Sequence, residues 1–417
     1  MREEIKTRIE AVRRGEVPEG YKKKIPYIIP RDWQVKKLGA ITKRISRPNK
    51  DGVDRPAYSI NNRKGFVPQS EQFEDGSYQD LDKTAYKIVR RGEFAYNPAR
   101  VNVGSIGRLR DEDEVIVSSL YVCVDVDDSV DGEYFDAWTK TRDFFEETVR
   151  NTEGSVREYL FYENFANMRM PIPPLAEQQK IAEILSTCDR VIELKQQLLD
   201  EKRKQKQWLM QMLLDPYSGT RLSGFEEVEW VDILLGDECY MFSGGTPKAG
   251  KDEYYVDGTI PFIRSGEISE TSTELFLTEL GYENCSAKMV EIGDILYALY
   301  GANSGDCSIS KMNGAINQAI LCIRPKTLNK YLLYHVLCML KEKIVSTYLQ
   351  GGQGNLSAEI IKKLVITVPA DSKYQQAVVA KLAISDKEID LYENELEAWQ
   401  QKKKALMQLL LTGLVRV

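Results

Sequence analysis

The chain has 417 residues, 42% of them apolar and 29% charged, with a formal net charge of −6, seven cysteines and one histidine. That length exceeds one ordinary core and predicts two to four domains, and no apolar run approaches the ~20 residues a membrane span needs. A single histidine and thiols without a C-x-x-C pair are poor material for a zinc site or serine–histidine chemistry; they predict reduced cysteines and a cytoplasmic protein.

Residues 1–24 form a charged N-terminal segment without an apolar signal-peptide stretch, so export is not expected. A first domain spans 25–170. Its opening is basic: from Lys22 to Lys50 ten lysines or arginines stand against one acid, Asp32, whereas Asp111 to Glu133 carries nine acids. A basic stripe is either a phosphate footprint or a solvated face. Residues 115–117 and 120–124 read as strands, 133–150 as a helix, and Met170-Pro171-Ile172-Pro173-Pro174-Leu175 as a proline-marked exit. A long helix at 171–215 comes next. The second domain, 216–367, repeats the order with strands at 294–297 and 319–323, a helix at 330–349 and an exit at Ile366-Thr367-Val368-Pro369. His335 lies in an apolar helical pattern, where a packed histidine is expected. A second long helix closes the chain at 368–417.

The two long helices repeat one another at an offset of 197: Gln178-Gln179 falls on Gln375-Gln376, Ile181 on Val378, Leu185 on Leu382 and Leu213-Leu214 on Leu410-Leu411. Trp33 falls on Trp230 and Leu38-Gly39 on Leu235-Gly236, while the inserts between read differently. Such a duplication suggests a device that reads two different things at once. Residues spaced alternately four and three apart mark a heptad seam: Ile181, Leu185, Cys188, Ile192, Lys195, Leu199, Lys202, Lys206, Leu209 and Leu213, then Val378, Leu382, Ser385, Ile389, Tyr392, Leu396, Trp399, Lys403, Leu406 and Leu410. Each helix of ~40 residues is ~60 Å long. Neither buries its stripe alone, so each is expected to pack antiparallel on its own repeat, the alternative being a homodimeric coiled coil. The predicted fold is two mixed α+β (α/β) domains joined by two long antiparallel coiled-coil helices with pseudo-twofold symmetry.

Gly245-Thr246-Pro247-Lys248-Ala249-Gly250-Lys251 satisfies G-x-x-x-x-G-K, but Asp252 stands where a nucleotide loop needs Ser or Thr, and no obvious buried strand or apolar helix flanks it. Asn97-Pro98-Ala99-Arg100 breaks the methyltransferase tetrapeptide, and no catalytic site is identified. There remain polar loops: Arg63, Lys64, Arg100, Asn102, Arg108 and Arg110 in the first domain, and Lys248, Lys251, Arg264, Asn303, Lys311 and Asn313 in the second. Arginine and lysine can pair with guanine and asparagine with adenine in a major groove, though any one such residue is more often an ordinary surface side chain or phosphate contact than a base reader, and only the ensemble is suggestive.

With Pro173-Pro174-Leu175-Ala176-Glu177-Gln178-Gln179-Lys180-Ile181-Ala182, Ser243-Gly244-Gly245-Thr246-Pro247, Ile292-Gly293-Asp294-Ile295-Leu296-Tyr297, Gly354-Asn355-Leu356-Ser357 and Leu410-Leu411-Thr412-Gly413, the chain resembles the specificity subunit of a type I restriction-modification system. The resemblance covers nearly all of it. It implies two target-recognition domains, each binding half of a split sequence in double-stranded DNA, and helices that dock two methyltransferase subunits and, in the full complex, restriction subunits. It implies no membrane partner and no catalysis on this chain, with S-adenosylmethionine, ATP and Mg on the partner subunits. Under that reading the DNA-binding candidates are drawn from the polar loops: Arg63, Lys64, Arg100, Asn102, Arg108, Lys248, Lys251, Arg264, Asn303 and Lys311. One departure stands out: the second long helix opens Ala370-Asp371-Ser372-Lys373-Tyr374-Gln375-Gln376, without the Pro-Pro-Leu-x-Glu-Gln-Gln pattern of the first.

Overall fold

A computed structural model describes residues 3–51, 53–72, 83–153, 159–248, 250–349 and 355–417; Ala249 and Gly354 of the sequence motifs lie outside the described residues. The chain divides into two units, Met1–Lys195 with Glu395–Val417, and Gln196–Asn394.

The first unit opens with α1 (Glu3–Arg13) and a hairpin of β1 (Tyr21–Lys24) and β2 (Tyr27–Pro30). Next come strands β3 (Gln34–Lys37), β4 (Thr42–Ile45), β5 (Ala57–Asn61), β6 (Gly65–Pro68), β7 (Lys87–Arg90), β8 (Phe94–Tyr96), β9 (Ile106–Arg108), β10 (Glu114–Val117) and β11 (Val122–Val126). Helices α2 (Gly132–Trp138) and α3 (Arg142–Asn151) lead to β12 (Arg169–Ile172) and the long α4 (Leu175–Leu214). The second unit has β13 (Trp230–Leu234), β14 (Cys239–Ser243), β15 (Ile260–Ile263), β16 (Phe276–Leu277), β17 (Lys288–Val290), β18 (Ile295–Ala298), β19 (Cys307–Ile309), β20 (Gly314–Ile316) and β21 (Ile320–Pro325). Helix α5 (Lys330–Leu349), β22 (Val365–Pro369) and the long α6 (Ser372–Leu411) complete it. No helix among the described residues is long and apolar enough to cross a membrane.

The inserts that differ in sequence share one strand plan. The first unit holds sheets ordered β6-β5-β10-β7 and β4-β11-β8-β9; the second holds β16-β15-β20-β17 and β14-β21-β18-β19. In both, one pair is parallel, β5 with β10 and β15 with β20, among antiparallel neighbours. The entry and exit of each insert pair as a ribbon, β3 with β12 and β13 with β22, so each proline-marked exit is a strand hydrogen-bonded to the segment at the repeated tryptophan.

Local chemistry explains where the predicted elements shift. The helix expected over 133–150 breaks in two, because the Thr139 and Thr141 hydroxyls donate to the carbonyls of Asp136 and Trp138, and the Thr141 hydroxyl accepts the Phe144 N–H that starts α3. Phe135 and Trp138 are fully buried, while Phe145 is exposed. Leu120 falls in an exposed turn before β11.

Helices α4 and α6 pair antiparallel within each unit. In the first, Lys195 Nζ lies 2.5 Å from Glu395, and Lys403 bonds Asp189; in the second, Lys202 lies 3.1 Å from Glu388, Arg203 lies 2.7 Å from Glu393, and Lys206 bonds Asp386. The lysines that interrupt the apolar heptad are therefore those that ion-pair across it, their stems covering the seam while their ends reach carboxylates. Every heptad position, from Ile181 to Leu213 and from Val378 to Leu410, is buried or half-buried. The internal pairing supplies the apolar partner that the seam requires.

Each core is sealed by the start of one long helix and the end of the other. Ile181, Leu185, Leu410 and Leu411 join Trp33, Phe94, Phe135 and Trp138 in the first unit; their repeats Val378, Leu382, Leu213 and Leu214 join Leu235, Tyr297 and Leu333 in the second. The first glutamine of each repeated pair is a staple. Gln178 donates to the Pro173 carbonyl at 2.9 Å and accepts the Asp131 N–H ahead of α2, and Gln375 donates to the Pro369 carbonyl at 2.8 Å and accepts the Asn329 N–H ahead of α5. The divergent opening still starts α6 at Ser372, the repeat of Leu175. Its change is chemical: Glu177 takes the Trp33 indole N–H at 2.9 Å and the Arg416 guanidinium at 2.6 Å, whereas Tyr374 packs edge-on against Trp230 and Phe225. Both tryptophans lie beneath an arginine, Arg416 at 5.9 Å and Arg221 at 5.1 Å.

Candidate nucleic-acid interface

In the first unit a cleft of ≈ 380 Å³ opens between the β5–β6 tip, the loop after β8, strand β9 and the α2–α3 junction. Asn61 Oδ1 accepts the backbone N–H groups of Arg63 (2.8 Å) and Lys64 (3.2 Å), an Asx turn that fixes the tip. Both side chains are exposed and form no ion pair among the described residues. Asn102 and Arg108 line the same cleft. Arg108 is already engaged, 2.5 Å from Glu133 and bonded to the Gly92 carbonyl. Behind it, Arg110 and Lys140 lie 2.8 and 2.6 Å from the buried Asp136. Burial works to raise the Asp136 carboxyl, but Lys140 and Arg110 override it and hold the group below its ordinary value. The cleft thus has an ion-paired floor, three cations against two carboxylates, and a basic lip that forms no ion pair among the described residues. Arg100 is exposed on the loop after β8, outside the cleft lining.

In the second unit the candidates differ in how far they are committed. Arg264 is tied to Glu267 (2.6 Å) and Glu274 (3.0 Å), and its guanidinium holds the Glu267 carboxyl down at about 2. Lys251 bonds Glu253 and Tyr254 and lies 4.8 Å over the Tyr254 ring. Lys248 and Lys311 are exposed without an ion pair among the described residues. Asn303 sits on the single turn Gly301–Asn303, where a Cβ built on Gly266 would lie 3.4 Å from its Nδ2; the turn therefore faces the segment just after Arg264.

The glycine-rich loop is packed through its backbone. A Cβ on Gly244 would fall 1.7 Å from the Ile316 carbonyl, and one on Gly245 would fall 1.9 Å from Ser286 Oγ, so only glycine fits. Strand β14 precedes this loop, but only Cys239 of it is buried; Tyr240 is exposed and Met241 to Ser243 are half-buried, so no buried strand leads into the loop. On its other side the loop runs into a three-residue 3-10 turn, Asp252–Tyr254, too short to present the helix N-terminus that cradles phosphates. His335 is 2% exposed, with Nε2 3.6 Å from Asp386, and burial lowers its pKa to about 4. Sequence reasoning missed the aromatic and ionic surroundings of the first cleft, Phe144, Phe145 and Lys140, because they come from the unexpected break between α2 and α3.

A family model for the type I restriction modification DNA specificity domain matches residues 30–201 and 227–399. The putative type I restriction enzyme MjaX specificity subunit of Methanocaldococcus jannaschii is 23% identical over 96% of this chain and 97% of its own. The EcoR124I/EcoR124II specificity subunit of Escherichia coli is 27% identical over 52% of this chain and 55% of its own. Among solved structures, a chain described in work on assembly and conformational transition of the type I R-M system is 16% identical with a TM-score of 0.58, covering 94% of this chain and all of that one. The type I S subunit of M. genitalium is 14% identical with a TM-score of 0.55, covering 93% and 97%. Two matched repeats spanning most of the sequence, on a fold shared with such subunits, make the chain a member of the type I restriction modification DNA specificity family.

Proposed function

We propose that the chain is the DNA-reading subunit of a type I restriction-modification assembly. Each unit reads one half of a bipartite sequence, and the helices α4 and α6 set the unread gap. The reading rests above all on one observation: two units with the same strand plan carry unlike loops, and in each some cations have no carboxylate partner among the described residues. Unlike loops on like frames read unlike half-sites, and linkage makes the second contact effectively intramolecular. The chain itself does no chemistry; methyltransferase subunits bring S-adenosylmethionine, and restriction subunits bring ATP and Mg. Exposed apolar side chains on the long helices, Leu194, Leu198 and Trp208 on α4 and Ile384 and Leu391 on α6, offer the partners something to cover. The assembly works on cytoplasmic DNA.

The test is methylome sequencing of cells carrying this subunit with its methyltransferase, which yields both half-sites and the gap. Binding of the purified assembly should weaken linearly in log salt, as phosphate contacts release counterions. Methylation without a bipartite motif, or salt-independent binding, would leave the chain a coiled-coil adaptor.

A further inference from the structure

We propose that Asn102 and Asn303 are equivalent base readers, each taking the major-groove edge of one adenine in its own half-site; this rests on the proposed DNA-reading function. The equivalence is hidden at the offset of the long helices. At an offset of 201, Tyr96, Asn102 and Gly104 fall on Tyr297, Asn303 and Gly305. The strands agree: Tyr96 pairs with Ile106 across β8 and β9, and Tyr297 with Cys307 across β18 and β19, so the two loops have the same length and the same place in the sheet.

Both loops are braced in the same manner. Tyr96 and Tyr297 are fully buried beneath them. Each asparagine belongs to a single 3-10 turn, Val101–Val103 or Gly301–Asn303, and is soon followed by a glycine in the left-handed region, φ 92° at Gly104 and 85° at Gly305. A Cβ on Gly104 would lie 2.9 Å from the Asn62 carbonyl, and one on Gly305 would lie 2.7 Å from Val345. Each turn abuts the segment after the parallel strand, Asn62–Gly65 after β5 and Gly266 after β15.

Both asparagines are half-buried, and neither side-chain amide forms a hydrogen bond to the protein among the described residues. An amide offers a donor beside an acceptor. Adenine presents an acceptor, N7, beside a donor, N6–H, whereas guanine presents two acceptors, so the side chain selects adenine. A short side chain on a braced turn loses little freedom on binding, unlike the long cations Arg63 and Lys64 beside Asn102, which suit phosphate.

The assembled methyltransferase complex is tested on duplexes bearing its bipartite sequence, with each adenine replaced singly by 7-deazaadenine. The wild type should lose about ten- to a hundredfold in affinity at one adenine of each half-site. Asn102→Ala should lose as much on the natural duplex and become indifferent to 7-deazaadenine in one half-site alone, and Asn303→Ala in the other. The near-isosteric Asn102→Asp and Asn303→Asp should shift preference at that base towards cytosine, whose N4–H a carboxylate accepts. Variants that weaken every duplex equally, retain wild-type discrimination, or both map to one half-site would overturn the assignment while leaving the bipartite reading intact. A wild-type complex without sequence preference would end both readings before any variant is made.

Discussion

The clasp around Trp33 gives the sharpest test of how the first unit is closed. The indole is wholly buried, and its N–H ends on Glu177, a carboxylate that also receives Arg416 at 2.6 and 2.8 Å. Glu177→Ala removes three hydrogen bonds and strands the indole donor. An unsatisfied buried donor costs about 1–3 kcal/mol. Arg416 is 40% exposed and keeps Asp32 at 2.6 Å, so the lost ion pair adds only about 0.5–1 kcal/mol after solvent screening. The sum is about 1.5–4 kcal/mol. Glu177→Gln keeps an acceptor for the indole and should cost roughly half as much. Amide hydrogen exchange reports each unit separately: protection should fall in the first unit, around β3 and the end of α6, and stay unchanged in the second, where Tyr374 replaces the carboxylate. A loss under about 0.5 kcal/mol for Glu177→Ala, in the range of an ordinary surface substitution, would show that the clasp does not hold the unit shut.

His335 gives a pH signature. Its folded pKa, near 4, lies below the ordinary 6.5 because burial disfavours the cation. The unfolded chain therefore takes up a proton first as pH falls; stability is complete above about 6.5 and declines towards 4, by an amount on the order of 3 kcal/mol. Denaturant titrations of His335→Leu should lack that decline, and an unchanged profile would contradict it. Across the helices of the second unit, Lys202→Glu or Glu388→Lys alone should destabilise by about 0.5–1 kcal/mol, and the double reversal should restore the loss; additive losses would refute the pairing. Inserting four residues near Lys195 should lengthen the unread gap in the methylome motif without altering either half-site, and an unchanged gap would count against the helices as its determinant.

The helices were legible because a seam of 3.5-residue period over ~40 residues survives single exceptions. Lys195, Lys202, Lys206 and Lys403 read as flaws in that seam until their carboxylate partners are located, and those partners lie on a helix almost two hundred residues away. The inserts were opaque for a different reason. Their strands are short and packed mostly by unlike residues, Phe94 and Ala95 against Ile295 and Leu296 beside the one matched pair Tyr96 and Tyr297, so a shared sheet leaves few shared letters. The offset also drifts: Thr42 of β4 meets Cys239 of β14 at 197, but Asn102 meets Asn303 at 201, because four more residues enter the second unit between those strands. Asn102 and Asn303 were both visible as loop amides; their correspondence was not. Side-chain commitment is likewise invisible in sequence, since nothing in the letters distinguishes Arg63 from Arg108, whose charge Glu133 already meets.

The division of labour between frame and insert predicts what can be exchanged. The long-helix side chains that seal the second core, Leu213, Leu214, Val378 and Leu382, all lie outside residues 216–367. A donor domain from another family member meets the same apolar surface, and conservation of apolar volume is what a core demands most. Among the described residues, the first core takes nothing from the exchanged stretch: its long-helix residues are Ile181, Leu185, Leu410 and Leu411. Replacing 216–367 should therefore yield a folded chain whose methylome motif changes in one half-site and keeps the other. A change in both halves would mean that the loops are read together, and that the frame passes on more than position.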